Sequence, residues 1–116
     1  MKQYLAIFLG TPGSMAKWQQ LPEAERKQRE TRGLAAWHGW VEQHRPSIVQ
    51  IGSPLGKTKS VSSSGIADIR NNMGAWTVVQ ADSQEAAAKL FENHPHFTIF
   101  PGESIEVMEC LQIPGA

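Results

Sequence analysis

Residues 50–58 read QIGSPLGKT, and the fold turns on what that stretch is. Gly52, Gly56, Lys57 and Thr58 supply most of the letters of a phosphate-binding loop, G-x-x-x-x-G-K-[ST], which would hold a nucleotide between a strand and a helix. The spacing argues otherwise. Only Ser53, Pro54 and Leu55 separate the two glycines, one residue too few, and Ile51 stands where the first glycine belongs. The residues that follow, KTKSVSSSG, are β-branched and serine-rich, which predicts a strand where a phosphate loop needs a helix N-terminus. Pro54 also removes one of the amides that a phosphate cradle uses. The stretch therefore reads as the turn of a β-hairpin, joining short strands at 47–51 and 57–62.

Upstream of this turn, residues 2–9 form an apolar run of strand length, ended by the turn letters Gly10, Thr11, Pro12 and Gly13. A polar connection carrying Met15 and Trp18 leads to Pro22, a residue suited to the start of a helix, with Glu23 and Glu25 where negative charge meets the helix dipole. The helical pattern runs to His44 and is closed by Pro46. Leu34, Trp37, Trp40, Val41 and His44 fall on one face, while His38 points away from it toward solvent. Gly33 and Gly39 weaken that helix and are expected to let its backbone approach the sheet.

Downstream, the polar segment 63–72 reads as loop and 75–81, AWTVVQA, as a strand. Asp82 with Glu85 three residues on makes a capping pair for a helix through Phe91 that ends near Asn93. A loop around residues 97–102 leads to a last strand, 104–113. The order is β-α-β-β-β-α-β, an α+β ferredoxin-like sandwich with an antiparallel sheet and two helices on one face. Residues 1–116 are taken as a single domain.

The strands carry a further message. Tyr4, Ala6 and Phe8 point one way and Leu5, Ile7 and Leu9 the other; Trp76 and Val78 likewise oppose Ala75, Val79 and Ala81. A sheet apolar on both faces must be covered on both, and two helices cover one. The free face predicts a second copy, packed sheet to sheet as a homodimer.

Composition narrows the function. Acidic and basic residues balance at 11 each, so no net field favours nucleic acid or an anionic membrane. The basic cluster Arg26, Lys27, Arg29 and Arg32 alternates with Glu23, Glu25 and Glu30, the pattern of a solvated helix face with i,i+4 pairs. One cysteine, Cys110, excludes an internal disulfide and a cysteine-built zinc site, and is expected to be buried and inert. No run approaches the ~20 apolar residues of a membrane span, and the N-terminal run is one strand long, so the expected location is cytoplasmic. No cofactor is called for. His94 and His96 share a metal-edge spacing, but no third ligand accompanies them, and no metal is expected.

Five pieces in order, AWHGW at 36–40, GSPLG at 52–56, AWTVVQADS at 75–83, the Pro-His of 95–96 and the closing strand, resemble the YCII-related (YciI-like) family of the dimeric α/β-barrel superfamily. The resemblance spans nearly all the chain from Ala36. It implies a ferredoxin-like monomer and a homodimer, in a family mostly of unassigned activity with some relatives acting on small aromatic compounds. Two departures stand out. The D-G-P-F tetrapeptide of one branch is absent, and Trp37 stands at or beside the histidine that catalytic relatives pair with an aspartate, with His38 next to it.

Expected site residues follow from both lines. His96, in the Pro-His position, and His44, on the tryptophan face, are the candidates for acid–base chemistry, and a loop-fixing role for His96 is the alternative. Trp37, Trp40, Trp76 and Arg70 are the candidate pocket residues, since aromatic walls with a few polar groups hold small planar ligands. The function expected is binding, and acid–base transformation, of a small aromatic metabolite; the rival is a non-catalytic dimeric binding or accessory module.

Overall fold

The computed structural model describes residues 1–115. Its elements in chain order are β1 (Lys2–Gly10), α1 (Pro12–Gln19), α2 (Glu23–His44), a single 3-10 turn (Arg45–Ser47), β2 (Ile48–Gln50), β3 (Thr58–Ser62), β4 (Gly65–Ile69), β5 (Met73–Ala81), α3 (Gln84–Lys89), α4 (Pro95–Thr98) and β6 (Gly102–Glu109). Four strands form one antiparallel sheet in the order β2-β5-β1-β6, and β3 and β4 pair only with each other. The class is α+β with an antiparallel sheet, compatible with a ferredoxin-like sandwich.

Strand alternation sorts the sheet as expected. Tyr4, Ala6, Phe8, Val79 and Ala81 are buried under the helices with Trp40, Ala87 and Phe91. Burying side chains of this size is worth roughly 2–3 kcal/mol each for the larger ones. Leu5 pairs with Val78 and Met108, and Ile7 with Trp76, on the opposite, helix-free face. The molecule measures 54 × 43 × 18 Å with a radius of gyration of 16.2 Å. A compact chain of this length would have about 13.5 Å. The slab is thin because one sheet carries one layer of helices.

The QIGSPLGKT stretch is not the turn of a hairpin. β2 pairs with β5, and the residues after it run along the same strand: Trp76 N–H donates to Ser53 O at 3.3 Å, Leu55 N–H donates to Gly74 O at 2.9 Å, and Pro54 bridges Ala75. Gly52 takes φ +73°, and a Cβ there would run into the Trp76 carbonyl. Glycine is required by both backbone and space. The hairpin comes later, between β3 and β4, where segment 63–72 had read as loop. Ser63 and Ser64 make its turn, and Lys59 pairs across it with Asp68 at 2.7 Å.

Other boundaries also move. The polar connection after β1 is helix α1, because Thr11 Oγ1 accepts the Ser14 N–H at 3.1 Å and Pro12 opens the first turn. Ser83, not Asp82, caps α3, and Asn93 at φ 58° turns the chain away after it. The loop before the last strand contains α4, capped by the His94 side chain. β6 stops at Glu109, so Cys110 is exposed and not buried. Among the described residues four α-helices stand where two were expected. The i,i+4 pairs Glu23–Lys27 (3.1 Å) and Glu25–Arg29 (3.3 Å) form on α2 as its charge pattern requires. Gly33 admits the Phe100 ring against α2, whereas Gly39 faces open space. Among the described residues no helix is long and apolar enough to cross a membrane.

Candidate ligand-binding cavity

Between the middle of α2, the crossing segment 51–54 and the start of β5 lies a cavity of about 400 Å³. Its position follows from the local sequence. Pro54 and Gly52 hold the crossing segment against β5, and Leu34, Trp37 and His38 project from successive turns of α2 to form the opposite wall. Phe100 and His96 close one end. The wall is mostly apolar; Ser53, Thr77, His38 and His96 are its polar members. Thr77 Oγ1 is already committed, donating to Ile51 O at 2.8 Å, which fixes the crossing segment to the sheet.

Behind the wall sits His94, fully buried. Its ring centroid lies 4.5 Å from Trp37, 4.8 Å from Trp40 and 5.1 Å from Phe8, at interplanar angles of 89°, 69° and 77°. Nδ1 accepts the His96 backbone N–H at 3.0 Å, and among the described residues Nε2 has no hydrogen-bond partner. Burial in this apolar cage pushes its pKa down to about 3, with His96 and His44 adding repulsion of a positive charge. His94 is therefore neutral, a fixed member of the core that joins Trp37 to α4.

His96 occupies the seam between the cavity and a second, more open cleft. Its Nε2 donates to Leu9 O at 2.8 Å, tying α4 to the end of β1. The ring also covers Gly102, where any Cβ would collide with it. Burial lowers the His96 pKa, opposed by the Leu9 and Ser104 carbonyls that face the ring. His96 thus lines the cavity as a neutral, hydrogen-bonded group.

The second cleft, about 630 Å³, runs from Thr11 and Met15 past Asn72 to Arg70, and shares Gly74, His96 and Phe100 with the first. The residues singled out from sequence divide accordingly. Trp37 and His96 meet in the cavity, Trp76 belongs to its strand wall although alternation along β5 sends its side chain to the helix-free face, and Arg70 lines the adjoining cleft. Trp40 belongs to the core, its Nε1 donating to Leu90 O at 2.8 Å. His44 packs on Trp40 with centroids 5.1 Å apart and is not part of the cavity wall.

His38 is exposed, as its place off the apolar face of α2 predicts, and it also lines the cavity beside Leu34. The signal was present: the i,i+4 spacing from Leu34 sets both on one edge of α2. Phe100 was missed because its approach depends on the space at Gly33, which no local pattern reveals. Among the described residues no three His, Cys, Asp or Glu side chains gather at one point.

No protein-family model matches the chain, and no curated protein matches it. A solved structure does: 5-chloro-2-hydroxyhydroquinone dehydrochlorinase (TftG) from Burkholderia phenoliruptrix AC1100, in complex with 2,5-dihydroxybenzoquinone. The similarity has a TM-score of 0.53 at 20% identity, over 90% of this chain and 89% of that one. At this identity it shows a shared fold.

Proposed function

We propose that this chain is a YCII-related protein of the dimeric α/β-barrel superfamily, a homodimer that binds a small aromatic compound in the cavity between α2 and β5. The observation that carries the proposal is the cavity itself: about 400 Å³, walled by Trp37, Phe100, Leu34 and Pro54, with a few fixed polar groups. The shared fold supports the superfamily, and the five sequence pieces support the family. The uncovered, apolar sheet face supports the dimer, whose two sheets would pack face to face.

The test is direct titration. 2,5-Dihydroxybenzoquinone and 2-naphthamide, added to the purified full chain in a calorimeter, should bind with one site per chain. Trp37→Ala should weaken either ligand by tenfold or more, about 1.4 kcal/mol. No heat from these or other mono- and bicyclic aromatics would remove the proposal.

A second reading, acid–base transformation of the bound compound, is favoured by two imidazoles at the cavity, His96 in its wall and His38 at its rim. His96 is held neutral by burial, as a general base must be, but its Nε2 already donates to Leu9 O. His44, packed on Trp40 away from the wall, would act only through a rearrangement. Unchanged turnover of an identified substrate in His96→Gln and His44→Gln variants would leave the protein a binding module.

A further inference from the structure

Resting on the aromatic-cavity proposal, we infer that the ligand carries an anionic group, a carboxylate or phenolate, and that Arg70 is the residue that selects it. The cavity and the cleft beyond His96 adjoin, sharing Gly74, His96 and Phe100 in their walls. Across both, among the described residues, Arg70 is the sole fixed charge: neither wall contains an aspartate, glutamate or lysine. Glu103, next to Gly102 of the cleft wall, is engaged by the Ser14 and Thr11 hydroxyls, and Asp68, which shares a neighbouring groove with Arg70, is paired with Lys59.

Arg70 is also uncommitted. Among the described residues the ion pairs use Lys2, Lys27, Arg29, Arg45, Lys59 and Lys89, and Arg70 makes none. It follows β4, whose own cross-strand pair, Lys59–Asp68, takes up the only acidic group of the hairpin. An unpaired guanidinium at the end of an aromatic trough is suited to one ligand geometry: ring against Trp37 and Phe100, anion toward the fork of Arg70. Cations are excluded by the same charge, and neutral aromatics would gain only the ring contacts.

The experiment compares 2-naphthoate with its neutral isostere 2-naphthamide by calorimetry on the full chain at pH 7.5. Naphthoate should bind about tenfold more tightly, as expected for one hydrogen bond to a charged group. Arg70→Gln should abolish that preference while leaving the naphthamide affinity unchanged, and Lys57→Gln, on a groove that Arg70 shares with Lys59 and Asp68 but outside the cavity and cleft, should change neither. Equal binding of the two ligands, or a preference that survives Arg70→Gln, overturns the anion assignment and leaves the aromatic cavity standing. Binding of neither ligand overturns both.

Discussion

The backbone N–H of His96 donates to Nδ1 of His94 at 3.0 Å, and this bond decides the protonation state of a fully buried histidine. With Nδ1 accepting, the ring proton sits on Nε2, which has no partner other than the surrounding aromatic faces. A second proton would cost the His96 bond and place a charge inside the cage.

Stability should therefore fall as the solution is acidified. The folded pKa of His94, about 3, lies below the ordinary value of 6.5, so the unfolded chain binds the extra proton between those limits. His96 shifts in the same direction. Stability is complete above about pH 6.5, and His94 alone should remove about 2 kcal/mol between pH 7 and pH 5. Urea unfolding at pH 7, 6 and 5 measures this window before most carboxylates titrate. His94→Phe should flatten much of the slope; a wild-type midpoint constant over the window would contradict the neutral, caged imidazole.

Gly52→Ala should cost 2 kcal/mol or more, roughly the sum of a left-handed backbone and a forced collision with the Trp76 carbonyl. Gly56→Ala, four residues on, meets nothing within 4 Å and should be nearly neutral. Urea midpoints of the two variants make the comparison. Equal effects would mean that the crossing segment is not held against β5.

How much of this was legible can be judged from the same stretch. The strand-like residues after it do form a strand, β3, where a phosphate loop needs a helix, and alternation in β1 and β5 identified both sheet faces. The strand partners were not legible, since Ser53 and Leu55, flanking the Pro54 bridge, bond to β5 some 20 residues away and local turn letters favour the adjacent strand. Thr11-Pro12 was a helix start masked by neighbouring glycines that also spell a turn. His94 as a helix cap lies outside the usual Ser, Thr, Asp and Asn set, so α4 had no recognisable opening. The cavity was half visible: Trp37 and His96 carry a sequence signal, and so does His38 through its spacing from Leu34, whereas the approach of Phe100 depends on the space at Gly33, distant in sequence.

Trp37 and Trp40, three residues apart, should respond oppositely to substitution. Trp40→Phe removes the bond to Leu90 O and should cost about 1–3 kcal/mol of stability without altering 2-naphthamide binding, because Trp40 lies in the core. Trp37→Ala should weaken the ligand, because Trp37 forms the cavity wall. Chemical denaturation and calorimetry on both variants separate the roles. A ligand affinity that falls equally in the two would place the site deeper between α2 and the sheet.

The dimer is the most accessible prediction, and a single residue can test where its interface lies. Leu5 sits in the centre of the helix-free face, opposite Val78 on one side and Met108 on the other. A stable interface needs about 800 Å² from each partner with an apolar centre, and Leu5, Ile7, Val78 and Met108 give this face such a centre. Leu5→Glu would bring two carboxylates into that centre, one from each copy, with no cation on the face nearby to compensate them. Because Leu5 points away from Tyr4, Phe8 and the helices, the subunit should keep its circular dichroism. Sedimentation equilibrium at micromolar concentration should give twice 12.8 kDa for the wild type and a single subunit mass for the variant. A wild-type monomer would remove the dimer, and a variant that still dimerises would move the interface to another surface, with the exposed β3–β4 hairpin the first place to look.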